Sequence, residues 1–411
     1  MQSGRSVFLT GMAGTGKSST LCQYLAQAFS EVSVTATTGI AALNLQDQYR
    51  SAARIGLPAF TIYRWAGIFT GPLPYQSIEE FARFLFASEA RNVINARKRI
   101  EKARVLVIDE ISMLPGRTLD FLDFYFRSVR KKDTPFGGIQ MIFVGDFLQL
   151  PPVSKTGRYD WAFQSRSWNE LHPLPIYLKN IHRQDEPLFV EALNNFREGR
   201  ISQSVANTLA ARVNMFTPRK VPRLFTHNAQ VDKWNHVQIS DLEGDAETFT
   251  ATYEGSPSDI EFLKKNSITP HELTIKRGAR IMVTANISDD TGDLVAVNGQ
   301  LGTVRETFPL IVDLDNGHPL RVEKRQWSLD PQNPKSATMT QVPLKPAYAI
   351  SIHKSQGLTL PCAHIDIRAA REPGQAYVAL SRLKSLSGLY LKEWIKGVHV
   401  SPAAINFYKN L

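Results

Sequence analysis

Two cysteines, Cys22 and Cys362, are the only thiols in a chain of 411 residues. They supply neither a disulfide framework nor a four-ligand zinc site, and the nine histidines are scattered without metal-ligand spacing. Both thiols therefore read as reduced packing residues. No apolar run approaches the ~20 residues needed to cross a bilayer. Residues 1–19 are glycine-rich loop sequence rather than a basic segment followed by an apolar signal core. Neither membrane insertion nor export is expected, and repeats and low-complexity tracts are absent. Acid is scarcer than base: 38 Asp and Glu against 48 Lys and Arg leave a net charge of +10. That balance suits a polyanionic partner, and equally a protein that merely stays soluble. A 43% hydrophobic content over this length exceeds one ordinary core and suits two to four compact units.

From Ser6 to about Pro173, short β-branched or aromatic runs alternate with helical stretches, the pattern of a parallel sheet wrapped by helices. The predicted strands are Val7–Thr10, Val32–Thr35, Val105–Ile108 and Met141–Val144. Each ends at a glycine, threonine or acidic residue, where sheets of this class bind ligands. A second strand-and-helix region runs from Leu174 to about Trp234 and resumes near Tyr348. Between them, turn signals (Asn298-Gly299, Asn316-Gly317, Pro331, Pro334) and short alternating segments such as Arg280–Val283 predict a small inserted β-barrel. The expected organisation is α/β: a first domain over 1–173, with a small wedge at about 60–78, and a second over 174–237 and 343–411. The insertion occupies 238–342. The basic stretch Arg91–Arg104 has apolar residues at helical spacing and reads as a solvated helix face.

Gly11-Met12-Ala13-Gly14-Thr15-Gly16-Lys17-Ser18 has the phosphate-loop spacing, directly after a predicted strand and before a helix starting near Ser19. Backbone amides and a helix N-terminus wrap the phosphates, Lys17 reaches the β and γ phosphates, and the Ser18 hydroxyl suits Mg²⁺. The loop alone specifies only a nucleoside triphosphate. Val105–Ile108 then leads into Asp109-Glu110, adjacent carboxylates expected to point opposite ways, Asp109 to the metal and Glu110 to the attacking water as general base. Gly145-Asp146-Phe147-Leu148-Gln149 closes another strand. There the Gln149 amide suits sensing of the γ phosphate, and Pro151-Pro152 stiffens the exit.

In this order the three elements resemble superfamily 1 helicases, and the wording is most similar to the petite-integration-frequency (Pif) family in its RecD-like branch. Thr35–Ala42 resembles motif Ia of that family, and Arg127–Ile142 a segment particular to it. Arg183-Gln184 resembles motif IV, His353–Thr359 motif V and Gln375–Arg382 motif VI. Two departures stand out: at most ten residues precede Gly11, leaving Gln2 as the candidate adenine reader, and Thr61-Ile62-Tyr63 stands where relatives commonly carry Thr-Ile-His. Little sequence follows motif VI, so no further C-terminal domain is expected.

The resemblance implies two RecA-like phosphate-loop domains with parallel sheets, an SH3-like barrel inserted in the second, and ATP hydrolysis at the cleft between them. It implies a monomeric motor that moves 5′ to 3′ along single-stranded DNA and unwinds duplex, fork or other structures, including G-quadruplexes or RNA–DNA hybrids. It places Gly11, Gly14, Thr15, Gly16, Lys17, Ser18, Ser19, Gln149, Arg183, Gly357 and Arg382 around ATP, with Mg²⁺ on Ser18 and Asp109. Arg183 and Arg382 would supply positive charge to the transition state, although each also suits a structural ion pair. DNA contacts are implied at Thr37, Thr38, Gly39, His353, Lys354 and Ser355, and at the strand end His227-Asn228. Phe60, Tyr63 and Trp65 suit either base stacking or core packing. Roles in DNA repair, recombination and telomere maintenance would follow, in a nucleoid, nucleus or mitochondrion according to the host. Two other readings fit fewer residues: an ATPase acting on protein or small molecules, and a nucleotide-switched nucleic-acid-binding ATPase without strand separation.

Overall fold

The computed structural model describes residues 4–27, 32–39, 41–42, 44–46, 48, 59–68, 71–72, 77–154, 156–218, 221–288, 294–296, 298–328, 336–393 and 397–411. The chain divides into two compact units, one of residues 1–182 and 400–411 and one of residues 183–399.

The first unit is built on six strands: β1 Val7–Gly11, β2 Val32–Ala36, β3 Ala59–Thr61, β4 Val105–Asp109, β5 Gln140–Val144 and β6 Leu174–Leu178. All pair in parallel, in the order β3-β2-β4-β5-β1-β6. The central strands β1, β4 and β5 are buried on both faces, which is why they read as near-continuous apolar runs. On one face Phe8, Leu106, Ile108, Met141 and Phe143 pack against α2 Ile78–Ala87, α3 Arg91–Lys102 and α4 Gly116–Arg130. On the other, Leu9, Val34, Val107, Ile142 and Val144 meet Leu21 and Leu25 of α1 Lys17–Gln27.

Helix α3 is less solvated than its composition suggests, because Val93, Ala96 and Ile100 are buried. Arg99 donates to the carbonyls of Arg64 and Trp65. The segment Lys131–Gln140 forms a clasp after α4. Asp123 accepts from the Phe136 amide and from Arg127, and Arg130 reaches the carbonyls of Gly137, Ile100 and Ala103. Gly137 is required there: its φ is +62°, and a Cβ would stand 2.8 Å from the Phe126 carbonyl oxygen.

Two segments expected in the second domain belong to the first unit. Strand β6 pairs with β1 along its length, from Val7–Leu174 to Gly11–Leu178. The last helix, Pro402–Lys409, buries Ala404 and stacks Phe407 on Phe163 at 4.5 Å, within the aromatic cluster of Phe8, Phe147 and Trp168. A fully buried ring of this kind contributes about 1.5–3 kcal/mol, and Phe407, partly covered, realises part of that.

In the second unit a parallel sheet has the order Ala349–Ser351, Arg223–Phe225, Ala363–Ile365, Leu389–Leu391. Where the insertion is expected stands a five-stranded antiparallel sheet in the order Pro319–Arg321, Leu310–Leu314, Leu301–Thr307, Arg280–Val283, Leu344–Pro346. It has its own core around Ile281, Val283, Val304, Val312 and Leu344. The edge strand Leu344–Pro346 carries this sheet past the expected boundary at 342 and to within three residues of the parallel sheet.

Candidate nucleotide and nucleic-acid sites

Strand β1 delivers Gly11 to the rim of the first sheet, and the next residues turn back over it. Gly11 lies opposite Leu178, and a Cβ there would fall 2.5 Å from the Leu178 carbonyl oxygen, so only glycine lets the loop leave the strand. Thr15 braces the loop through its hydroxyl and amide, both on the Met12 carbonyl, and the His182 amide donates to Gly14 O at 2.8 Å. The Lys17 ammonium donates at 2.9 Å to the carbonyls of Gly11 and Met12. Gly14, Gly16 and Ser18 are half-buried along the same loop, and Ser19 is exposed on α1. Gln2 lies outside the described residues.

At the end of β4, the strand alternation expected to separate Asp109 and Glu110 does not extend to Glu110. The strand stops at Asp109, and Glu110 sits in the left-handed region (φ 54°, ψ 42°) before the turn Ile111–Met113. A non-glycine residue held there costs of order 1–3 kcal/mol and persists only where its surroundings fix it. The fixing contacts are visible: the Glu110 amide donates to Asp109 Oδ1 at 2.8 Å, and the Thr37 hydroxyl donates to the Glu110 carbonyl at 3.0 Å. Desolvation, with repulsion from Glu110 second, pushes the Asp109 carboxyl up to about 7, while Lys17 draws it down. Asp109 is therefore a carboxylate whose charge calls for a cation beside it. With the Ser18 hydroxyl it offers the hard oxygen donors that suit Mg²⁺.

Gln149 is buried one turn beyond Asp146, its amide donating to the Asp146 carbonyl. Tyr408 was not singled out in the sequence. Its hydroxyl shares a 2.6 Å hydrogen bond with Thr10 Oγ1, immediately before Gly11, and accepts from the Phe147 amide at 3.1 Å. One side chain thus ties the strand entering the phosphate loop to the segment carrying Gln149. The only sequence signal was an aromatic pair, Phe407-Tyr408, in a terminal helix. Tyr408→Phe keeps the ring and removes both hydrogen bonds, at a cost of about 1–2 kcal/mol. We expect ATP turnover to fall about fivefold with little change in nucleotide affinity. A wild-type rate in a folded Tyr408→Phe protein would show that the tie does not position the loops.

The residues expected on DNA divide into two sets. Thr37 is 7% exposed, and its amide and hydroxyl hold the carbonyls of Asp109 and Glu110. Thr38 accepts from the Ala41 amide, and Gly39 is buried beside it. Phe60 is half-buried in β3 with Arg64 and Arg99 against its ring, and Trp65 is core. Tyr63 is largely covered, its hydroxyl bonded to Thr118. Core packing is therefore the observed role of Tyr63 and Trp65. The wedge expected at 60–78 begins as sheet and core through Ile68, and residues 69–70 and 73–76 lie outside the described residues.

In the second unit His227, Asn228 and Lys354 are exposed and His353 is half-buried. His353 pairs with Glu372 at 3.1 Å, a contact that holds the Glu372 carboxyl below its usual range, with His227 adding to the effect. Ser355 is fully buried, and its hydroxyl donates to the Ile352 carbonyl, so its observed task is to build the turn. Gly357 follows at φ +80°.

Arg183 donates to the Ser381 carbonyl at 2.9 Å, and Gln184 donates to the carbonyls of Ser381 and Leu383. Burial draws the Arg183 guanidinium down from its ordinary value. Arg382, 2% exposed, donates to Val378 O, to Ser381 Oγ and, at 3.5 Å, to the carbonyls of Ser355 and Leu358. Residues 198 and 199 positions apart in the chain are thereby brought together.

Residues 83–207 match the family described as PIF1-like helicase. The ATP-dependent DNA helicase Pif1 of Bdellovibrio bacteriovorus is 33% identical over 415 residues, covering 100% of this chain and 89% of the relative. A Psychrobacter sp. helicase of the same name is also 33% identical, and this chain spans 66% of its length. Among solved structures, Bacteroides sp. Pif1 in complex with ADP-AlF4 is similar with a TM-score of 0.79 and 30% identity, over 99% of this chain and 93% of that one. Bacteroides Pif1 in complex with ADP-AlF3 and single-stranded DNA gives 0.66 and 28% over the same shares. With the phosphate loop, the acidic pair and the arginine cluster in place, the chain belongs to the Pif1 family of ATP-dependent DNA helicases.

Proposed function

We propose that this chain hydrolyses ATP to move 5′ to 3′ along single-stranded DNA and to open the duplex ahead of it. The observation that carries this reading is the chain of hydrogen bonds from Thr37 to the Asp109-Glu110 turn. A segment similar to the DNA-contacting motif Ia is fastened by two bonds to the backbone carbonyls of the two acidic residues assigned to hydrolysis. A shift at one end therefore moves the other, which is the physical requirement of a motor rather than of a simple phosphatase.

In this reading Lys17 neutralises the β and γ phosphates, Glu110 takes the proton of the attacking water, and Gln149 responds to the γ phosphate. Arg183 and Arg382 supply charge to the transition state. Ser18 and Asp109 hold Mg²⁺, which screens phosphate charge when bound. Exposed Lys354, His227 and Asn228, with half-buried His353, offer donors for the strand, and contacts to phosphate carry no sequence preference. We extend the proposal to single-strand/duplex junctions, G-quadruplexes and RNA–DNA hybrids as substrates, and to a monomer as the working species in a DNA-containing compartment. Among the described residues no helix is long and apolar enough to cross a membrane.

Steady-state ATP turnover with and without a poly-dT oligonucleotide, followed by unwinding of duplexes bearing a single 5′ or 3′ tail, tests the reading. We expect strong stimulation by the oligonucleotide and unwinding only with the 5′ tail. Turnover indifferent to DNA would favour an ATPase with another target, and unwinding from the 3′ tail alone would reverse the polarity.

A further inference from the structure

Lys345 occupies a position that a lysine rarely tolerates. It lies on the strand Leu344–Pro346 at the edge of the antiparallel sheet and is 9% exposed. Its register partner across the sheet is Met282, whereas the neighbouring pair, Val283 and Leu344, points into the core. Successive residues of a strand face opposite ways, so Lys345 projects from the outer face. Motif V itself comes up against this sheet: the Cβ position of Gly299, whose amide donates to the Val283 carbonyl, lies 3.5 Å from Leu358. Lys345 is close enough to Lys354, in the turn Ile352–Ser355, to be repelled by it.

Among the described residues the Lys345 side chain has no hydrogen bond or ion pair. The charged groups on the elements around it are already committed or turned outward. Arg280 forms a two-pronged pair with Asp315, His353 pairs with Glu372, and Glu272, on the separate strand Glu272–Ile275, is exposed. Covering an ammonium without an anion is costly, and setting a second ammonium beside it adds to the cost. Such an arrangement is relieved by an anion that arrives from outside.

We infer that Lys345 and Lys354 together form a phosphodiester-binding site for the single strand, where the antiparallel sheet meets the segment Ile352–Thr359. The inference rests on the motor reading above and adds a residue of the insertion to the strand's path, at a position that no motif marks. Two cations from separate elements gripping one backbone phosphate would also fix the insertion relative to motif V whenever a strand is present.

Burial, with Lys354 second, pushes the Lys345 amine down to about 7. A phosphate beside it raises that value. Binding should therefore take up a proton at pH 8 and take up none at pH 6, where the amine is already charged. Affinity for the strand should fall as pH rises through 7.

The test measures anisotropy of a labelled dT oligonucleotide with the wild type, Lys345→Met and Lys345→Arg, from 50 to 300 mM salt and from pH 6 to 8.5. At pH 6.5 we expect Lys345→Met to bind about tenfold more weakly and to lower the slope of log K against log salt by about 0.7. Lys345→Arg should restore both and flatten the pH dependence, because a guanidinium stays charged. Calorimetry of the wild type in buffers of different ionisation enthalpy reads the proton uptake at pH 8 without any substitution, so a poorly folding variant leaves the question decidable. Wild-type binding without proton uptake, or an unchanged slope in folded Lys345→Met, overturns the site while leaving the motor reading intact. Absence of wild-type binding removes both. A raised KM for ATP without DNA in Lys345→Met, with an intact slope, would assign the lysine to nucleotide phosphate instead and overturn the proposal.

Discussion

Glu110→Gln should reduce ATP turnover about a thousandfold while leaving the protein folded and able to bind both ATP and single-stranded DNA. The substitution is nearly isosteric, and the bonds that fix the Glu110 backbone, from its amide to Asp109 and from Thr37 to its carbonyl, involve no atom of the changed side chain. The left-handed conformation is therefore retained and the loss is confined to proton transfer. Removing a negative charge beside Asp109 also relieves the repulsion that raises its carboxyl, so nucleotide binding is expected to persist. Single-turnover hydrolysis alongside nucleotide and oligonucleotide binding checks this. A hydrolysis rate near that of wild type would remove Glu110 from the role of general base. Loss of binding in parallel with turnover would point instead to collapse of the turn.

Much of this site was legible because it is local. The phosphate loop, the acidic pair and the predicted strands depend on residues within a few positions of one another, and the observed strands begin and end within one residue of the predicted ones. What was not legible depends on distant partners. Leu174–Leu178 carries a proline and exposed residues and resembles the start of a new domain, yet its backbone pairs with β1. The last helix follows motif VI in sequence but owes its place to Phe407 and Tyr408 meeting the aromatic cluster beside the phosphate loop. Strand alternation was expected to separate Asp109 and Glu110, but the strand ends at Asp109 and Glu110 takes a positive φ held by Thr37, 73 residues away. The Ser355 hydroxyl suits a phosphate contact and the Tyr63 ring suits base stacking in sequence, and tertiary packing uses both internally. Lys345 gave no sequence signal, because its peculiarity is burial without a counter-ion among the described residues.

Arg382→Ala should also abolish turnover, by about three orders of magnitude, and it tests whether a buried arginine in a bed of carbonyls is structural or chemical. The guanidinium donates to Val378 O, Ser381 Oγ, Ser355 O and Leu358 O, so alanine leaves several acceptors without this donor, at about 1–3 kcal/mol for a buried group. Some destabilisation of the second unit is therefore expected on either view. Arg382→Lys separates them. Lysine keeps the positive charge and can serve one or two of the carbonyls, but it lacks the planar fork that spans motif V and motif VI together. A structural arginine would give a lysine variant whose activity per folded molecule is near wild type, with a lowered thermal midpoint. If Arg382 instead serves the transition state, Arg382→Lys recovers most of the midpoint yet gains no more than about tenfold in rate over Arg382→Ala. Arg183 provides the internal control. Its guanidinium sits on the Ser381 carbonyl, one residue from Arg382, and burial already disfavours its charge. A cation held against that penalty, whose side-chain hydrogen bond among the described residues is to a carbonyl, is poised for an anion, so Arg183→Ala should cost turnover with a smaller change in the midpoint. Should both arginine variants lose stability in proportion to activity, the cluster would be a scaffold alone, and the transition-state charge would have to come from Lys17 and the phosphate-loop amides.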